Sequence, residues 1–182
     1  MKATDKGFSW LVSDLKKRGF NVIPVPINWG YRVMSDYIND FKQYYQKHKS
    51  KVNYVLGFSY GAVITFSSAS ELMPDKIFLC SLSSDFKEDT SVMKPWVQKL
   101  IGKRRLRDAN TRSGRSLAKA LKVPSVVFYG EEEIKGYPQL RIRCEETASL
   151  AKNSKLVIVP NAPHKIDNPE YIKAIQNQLE SL

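Results

Sequence analysis

Ser59 is the residue of this sequence best placed to act as a nucleophile. It lies between two glycines in the run Gly57-Phe58-Ser59-Tyr60-Gly61, after an apolar β-prone segment and before a run of small and apolar residues. This pattern predicts a strand, a sharp turn that carries the serine, and a helix. Glycines without a Cβ atom let the strand and the helix approach closely. Such a turn holds the weakly nucleophilic hydroxyl where a base can reach it.

Acidic residues and a histidine follow in the order that a serine nucleophile requires. Three glutamates occupy positions 131–133, directly after a predicted strand that ends at Gly130, and His164 follows the last predicted strand. Because reactive groups collect beyond the carboxyl ends of parallel strands, we expect these side chains to meet Ser59. His164 would take the Ser59 proton and return it to the leaving group, while a carboxylate fixes the histidine tautomer.

The motifs that carry these residues resemble those of the α/β-hydrolase superfamily, in its small serine-hydrolase branch. The resemblance covers about residues 8–180 and rests on Gly57-Phe58-Ser59-Tyr60-Gly61, Tyr129-Gly130-Glu131-Glu132-Glu133 and Ala162-Pro163-His164. In that superfamily the acid usually stands three residues after the strand-ending glycine, which is Glu133 here in place of the commoner aspartate. Glu131 and Glu132 are then solvated loop charges, although either could substitute. Asp85 is the alternative acid, because some members draw the acid from the strand at 76–82.

The resemblance implies an α/β fold in three layers, with a mostly parallel sheet of about five strands and helices on both faces. It implies one domain over residues 1–182, with a basic helical cap-like insert at about 86–122. It also implies a serine hydrolase that cleaves a carboxylic ester or thioester through an acyl-enzyme on Ser59, with His164 as general base and no metal or cofactor. The Tyr60 N–H is the expected oxyanion donor. The candidate substrate-binding residues are Phe58, Trp96, Arg104 and Arg105.

The order of elements favours the same fold on independent grounds. Apolar runs predict strands at 21–27, 52–57, 76–82, 125–129 and 156–159. Amphipathic helices are predicted between them, the second capped by Ser35 or Asp36, one over roughly 139–152, and the last capped by Asn168 before Pro169. Continuous apolar strands that alternate with such helices predict a parallel sheet covered on both faces.

The 21–27 strand is expected at one edge of the sheet. Pro24 and Pro26 lack N–H groups on the same side, so no neighbour can pair there. Superfamily members carry a further strand between this one and 52–57, and its end supplies a second oxyanion donor, whereas residues 1–7 are mostly polar. Either the sequence is truncated, or the 21–27 strand pairs directly with 52–57, or another chain fills a gap between them. Residues 4–7 could be remnants of the oxyanion loop, and losing one donor lowers turnover ~10²–10³-fold.

Composition indicates a single cytoplasmic domain. The chain has 182 residues, 42% of them apolar, which suffices for one sizeable core. Cys80 and Cys144 are expected to be buried free thiols, because neither has the spacing of a metal or redox motif. No signal peptide or long apolar span is visible.

Most of the net charge of +11 lies in one stretch. Residues 94–122 hold ten lysines and arginines against one acid, Asp108. Most of these residues are expected to form a solvated face. A sharper interpretation is a lid that draws in anionic esters or thioesters. A third is a nucleic-acid or acidic-membrane patch, with nucleic acid disfavoured because aromatic residues are not interleaved with the basic ones.

A second hypothesis follows from this charge and from the absence of a predicted strand at residues 1–7. The protein would then be a catalytically silent hydrolase-fold protein that binds an anionic partner through residues 94–122.

Overall fold

The fold is built around four parallel strands. The computed structural model describes residues 6–180, with Lys6 described in its backbone only. The strands are β1 (Tyr54–Phe58), β2 (Lys76–Cys80), β3 (Ser125–Gly130) and β4 (Ser154–Val159), and they pair in the order β1-β2-β3-β4. All three pairings are parallel, as the continuous apolar runs predict.

Helices connect and cover these strands. They are α1 (Ser9–Lys17), α2 (Met34–His48), α3 (Tyr60–Leu72), α4 (Lys87–Thr90), α5 (Pro95–Ile101), α6 (Lys103–Ala109), α7 (Gly114–Ala120), α8 (Glu133–Gly136), α9 (Pro138–Leu150) and α10 (Pro169–Leu179). A short 3₁₀ turn at Lys6–Phe8 precedes α1. No helix within residues 6–180 combines the length and the apolar character needed to cross a membrane.

The two faces of the sheet bury alternate strand residues. Ile77, Leu79 and Val127 pack with residues of α2, α3 and α9 on one face. Phe78 and Phe128 pack with residues of α1 and α10 on the other. Because successive strand side chains point to opposite faces, strands buried on both faces must be apolar throughout. The predicted three-layer architecture is therefore confirmed.

Capping residues set where the predicted helices begin. The Asn168 side chain accepts hydrogen bonds from the backbone N–H groups of Glu170 and Tyr171, and Pro169 takes the first position of α10, as predicted. At α2 the Asp36 carboxylate accepts from the Val33 N–H, so this helix begins at Met34, slightly earlier than expected. Cys80 and Cys144 are buried and unpaired, as predicted.

The predicted strand at 21–27 is wrong. In the described chain, residues 21–28 belong to no strand and make no backbone–backbone hydrogen bond. A groove of about 610 Å³ runs between this segment and β1, lined by Val22, Ile23 and Val25 on one side and by Val55 and Leu56 on the other. The expected direct pairing with 52–57 is therefore also wrong, and among residues 6–180 the sheet has four strands instead of five. Whether another chain fills the gap stays a prediction.

The edge of β1 that faces this groove has no strand partner among residues 6–180. The Asn53 carbonyl accepts from the Asp75 N–H, and the Ser59 N–H donates to the Cys80 carbonyl, so odd-numbered residues direct their backbone groups toward β2. Backbone groups of a strand alternate in direction, so those of Tyr54, Leu56 and Phe58 point toward the groove.

The segment at 86–122 is helical in part, as predicted, and comprises α4 to α7. Ion pairs attach it to the body. Arg112 contacts Asp85 and Asp108 at 2.8 and 2.7 Å, and buried Arg143 of α9 contacts buried Asp89 at 2.7 Å. Of the ten basic residues at 94–122, Arg112 is therefore a structural residue, whereas the other nine are exposed, as a solvated face requires.

Hydrogen exchange should reveal the open edge of β1. We expect the amides of Leu56 and Phe58 to exchange at least about tenfold faster than those of Val55 and Gly57, because only the latter pair donates to β2. Residue-resolved exchange measured by NMR tests this, with the amides of β2, which has a neighbour on each side, as the internal reference. Equal protection along β1 would contradict an open edge.

Candidate active site

The turn between β1 and α3 holds Ser59 in a strained conformation. Its φ of 56° and ψ of −120° lie in a region that residues with a Cβ atom rarely adopt. The Ser59 N–H donates to the Cys80 carbonyl at 2.9 Å, which ties the turn to the end of β2. Such strain persists where the surrounding structure enforces it, often at functional sites. The strand, sharp turn and helix predicted from the sequence are all present.

Only one of the two flanking glycines is required by close packing. A Cβ atom added at Gly57 would lie 2.3 Å from the Gly61 carbonyl oxygen, whereas one added at Gly61 would meet nothing within 4 Å. The expectation that both glycines permit the approach of strand and helix is therefore correct for Gly57 and wrong for Gly61. Gly61 takes part through its backbone.

His164 lies within hydrogen-bond distance of Ser59. Its Nε2 is 3.1 Å from the Ser59 Oγ, so the neutral ring can accept the hydroxyl proton when Nε2 is unprotonated. The Phe58 ring packs against the imidazole with centroids 4.8 Å apart, and the Tyr137 ring lies 6.0 Å away. Phe58, predicted to bind substrate, is buried and contacts the histidine ring.

Glu133 lies on the other side of the imidazole. Its Oε1 is 3.5 Å from the His164 Nδ1, close enough for ion pairing but too long for a good hydrogen bond. The same oxygen accepts from the Ser81 hydroxyl at 2.7 Å, and Ser81 in turn is 2.6 Å from the Tyr171 hydroxyl. Within residues 6–180, the Glu133 Oε2 and the His164 Nδ1 are buried and have no hydrogen-bond partner.

The other candidate acids have different partners. Asp85 pairs with Arg112, whose Nη2 is 2.8 Å away. Burial raises the pKa of Asp85 to about 6, and the Arg112 guanidinium opposes that shift. The Glu131 carboxylate accepts from the Asn161 N–H, and Glu132 pairs with Lys135. In the part of the chain that the structure describes, Glu133 alone among the candidates makes an ion-pair contact with His164.

Three residues of this cluster were not singled out from the sequence. Ser83 places its Oγ 3.1 Å from that of Ser59, while Ser81 donates to Glu133 and is itself bonded to Tyr171. Ser81 has a φ of 52°, so the chain turns sharply directly after β2. A signal existed for Ser83 alone, which begins a pair of serines directly after the 76–82 strand, beyond the carboxyl end where site residues collect.

The remaining predicted residues surround the turn or lie apart from it. Tyr60 is the first residue of α3, where a backbone N–H has no acceptor within the helix. Arg104 and Arg105 donate to the Tyr31 and Gly30 carbonyls at 3.1 Å. Trp96 is exposed on α5 and makes no hydrogen bond or ring contact with the Ser59 cluster within residues 6–180.

Two further expectations concern the oxyanion loop and metals. Of the possible oxyanion-loop remnants at 4–7, positions 4 and 5 lie outside the described residues, and the backbone at 6–7 forms the 3₁₀ turn. Among residues 6–180, no three His, Cys, Asp or Glu side chains are grouped closely enough to hold a metal ion.

Comparison with known proteins shows similarity at the level of structure. No protein-family model matches the sequence, and no curated protein matches it. Est1E from Butyrivibrio proteoclasticus is 15% identical with a TM-score of 0.72, over 99% of this chain and 83% of that protein. Mouse alpha/beta hydrolase domain-containing protein 10 is 10% identical with a TM-score of 0.71, over 100% and 84%. The Pyrococcus furiosus esterase Pf2001 is 17% identical with a TM-score of 0.64, over 99% and 74%.

The two glycines offer a matched pair of substitutions. Gly57→Ala should lower the free energy of unfolding by about 3 kcal/mol, because the new methyl group overlaps the Gly61 carbonyl. Gly61→Ala should change it by less than about 1 kcal/mol, since open space surrounds that position and alanine favours a helix. Urea denaturation of both variants measures the difference. Equal effects would show that the close approach does not constrain the turn.

Proposed function

Because the chain has the α/β-hydrolase fold, we propose that it is a serine hydrolase that cleaves a carboxylic ester or thioester through an acyl-enzyme on Ser59. The observation that carries the proposal is the distance of 3.1 Å between the Ser59 Oγ and the His164 Nε2. A nucleophile and a base within hydrogen-bond reach, the base facing a buried acid, is the arrangement that activates a serine.

The reaction proceeds in two halves. In the first, Nε2 of His164 accepts the Ser59 proton while Oγ attacks the carbonyl carbon, and the carbonyl oxygen becomes an oxyanion near the Tyr60 N–H. His164 then donates that proton to the leaving alkoxide or thiolate, so an alcohol or thiol departs and the acyl group stays on Ser59. In the second half, water is the nucleophile in place of Ser59. His164 accepts a proton from the water and returns it to the Ser59 Oγ, and the acyl group leaves as the carboxylic acid.

Glu133 acts on the charge that His164 gains. The imidazolium forms when Ser59 is deprotonated, and the Glu133 carboxylate, with an oxygen 3.5 Å from Nδ1, stabilises that charge. The Ser81 hydroxyl and the Tyr171 hydroxyl behind it keep the carboxylate in place. Burial raises the pKa of Tyr171 well above its ordinary value, so the phenol stays neutral beside Glu133.

Substrate preference is proposed from the groups around the turn. The Tyr60 side chain is about half exposed, and the Trp29 ring lies 6.3 Å from it. Arg105 bonds the Gly30 carbonyl in the neighbouring loop while remaining exposed. A substrate with an apolar or aromatic acyl group and a negative charge would find complementary groups here. We also propose a cytoplasmic location, which two free thiols suit.

A second candidate is a catalytically silent protein that binds an anionic partner through residues 94–122. The exposed lysines and arginines of α5 and α6 support it. The two candidates differ in whether Ser59 reacts, and the labelling experiment below separates them.

A fluorophosphonate probe tests the nucleophile. The native protein should form a covalent adduct that Ser59→Ala abolishes, because the probe traps a serine activated by a base. Ser91→Ala, which removes an exposed serine directly after α4, is the matched control and should label like the native protein. Labelling that survives Ser59→Ala would reject the assignment, and absence of labelling in the native protein would favour the silent candidate.

Two carboxamide substitutions test the acid. Glu133→Gln should lower kcat for a p-nitrophenyl ester about 10³–10⁴-fold, because the amide favours the wrong histidine tautomer and cannot stabilise the imidazolium. Asp85→Asn is the matched control and should lower kcat by less than about fivefold, since Asp85 pairs with Arg112. Thermal melts confirm that both variants fold. The reverse pattern would assign the acid to Asp85.

A further inference from the structure

Helix α5 has two apolar faces, and only one of them packs on the protein. Val97 and Ile101, one helical turn apart, are half-buried, and the Gln98 side chain between them donates to the Met93 and Thr90 carbonyls at 3.0 and 3.3 Å. These residues attach the helix to the body. Trp96 and Leu100, also one turn apart, point away and are 66% and 80% exposed.

The exposed position of Trp96 and Leu100 is unusual for a folded domain. A single exposed apolar residue is ordinary, but a tryptophan and a leucine adjacent on one helix face are not. Val92, 65% exposed, precedes the helix. In the described part of the chain, neither the Trp96 side chain nor the Leu100 side chain makes a ring contact or a hydrogen bond. No such contact therefore explains the position of these two side chains on the surface.

Unpaired positive charges lie close in sequence to these side chains. Lys94, Lys99, Lys103 and Arg107 are exposed, and none forms an ion pair within residues 6–180. From Val92 to Arg107 the sequence contains no acidic residue. In contrast, Arg112 and Arg115 of the same insert are paired with carboxylates. Four free charges therefore lie near the exposed apolar side chains in sequence, one of them, Lys99, on the same helix.

We propose that this surface, formed by Val92, Trp96, Lys99, Leu100 and Lys103 and here called the α5 surface, binds membranes rich in anionic lipid. Tryptophan suits the interface between headgroups and acyl chains, leucine and valine enter the apolar layer, and lysines attract the negative headgroups. Each basic residue near such a surface strengthens binding appreciably. The binding is peripheral, since it uses side chains of a folded domain.

The composition of the surface favours lipid over nucleic acid. A single-stranded nucleic acid needs aromatic planes on which successive bases stack, and the α5 surface offers one tryptophan beside aliphatic side chains. An aliphatic and basic surface matches a layer that is apolar inside and negative outside. This inference requires no reaction at Ser59, and it names a partner for the anionic-partner candidate of the proposed function.

Sedimentation with vesicles tests the proposal on the full chain. Vesicles of phosphatidylcholine with about 30% phosphatidylglycerol should bind the protein at least about tenfold more tightly than pure phosphatidylcholine vesicles. Trp96→Ala with Leu100→Ala should weaken binding to the mixed vesicles at least about tenfold by removing the inserted area. Lys99→Glu with Lys103→Glu should weaken it to a similar extent.

Matched controls separate the effect of this surface from the effects of net charge and of exposed apolar area elsewhere on the protein. Lys16→Glu with Lys17→Glu changes the net charge equally on exposed positions of α1, and Ile142→Ala removes an exposed apolar side chain of α9. Both should leave vesicle binding within about twofold of the native protein. Circular dichroism verifies folding of every variant.

Three results would overturn the proposal. They are absence of binding to the mixed vesicles, equal weakening by the α1 control, and tighter binding to a single-stranded oligonucleotide that Trp96→Ala abolishes. Because Ser59→Ala leaves the α5 surface intact, vesicle binding by that variant should equal that of the native protein. Loss of labelling at Ser59 and loss of vesicle binding are therefore independent outcomes.

Discussion

The contact between Gly57 and Gly61 is the constraint on which the site depends. With a Cβ atom excluded at Gly57, the end of β1 lies directly against the first turn of α3, and the chain reverses through Ser59 at a φ of 56°. The Ser59 N–H is bonded to the Cys80 carbonyl, so the turn is fixed to β2 as well as to β1. Because β2 ends there, Ser81 and Ser83 follow at the same edge of the sheet. The Gly57 contact and the end of β2 thereby bring Ser59, Ser81 and Ser83 to one edge of the sheet.

The insert between β2 and β3 uses its charges in two ways. Arg112 contacts Asp85 and Asp108, and Arg143 of α9 reaches into the insert to contact Asp89, with both side chains of that last pair fully buried. Breaking a buried pair by removing one partner is strongly destabilising, so these contacts fix the insert to the body. Within residues 6–180, the basic residues of α5 and α6 form one ion pair, a long and exposed one of 3.9 Å between Arg104 and Asp36. The insert therefore contains charges that are neutralised in buried ion pairs and, on its surface, basic residues whose charges are not neutralised in this way within residues 6–180.

Local patterns sufficed for much of the fold. The cap at Asn168 and Pro169 and the apolar runs of β1 to β4 act through neighbouring residues or burial, so the sequence alone predicts them. The 21–27 segment has an equally strong β pattern, but a strand exists only when another strand pairs with it, and none lies beside this one in the described chain. Ser81 and Tyr171 were missed for a similar reason. They meet at 2.6 Å across 90 positions of sequence, through packing that no local pattern encodes.

Asp85 follows β2 and Glu133 follows the adjacent strand β3, and the charges around these two carboxylates differ. Asp85 faces the guanidinium of Arg112, which neutralises it in the resting protein, so its charge is already compensated before any reaction. Glu133 is 2% exposed, and within residues 6–180 no lysine or arginine pairs with it. In the proposed reaction, its cationic partner is the imidazolium that His164 forms on accepting the Ser59 proton. An interaction that strengthens only when charge develops lowers the barrier, whereas one complete in the ground state does not. This difference supports the proposal of Glu133 as the acid, because among the described residues it has no lysine or arginine as a permanent counter-ion.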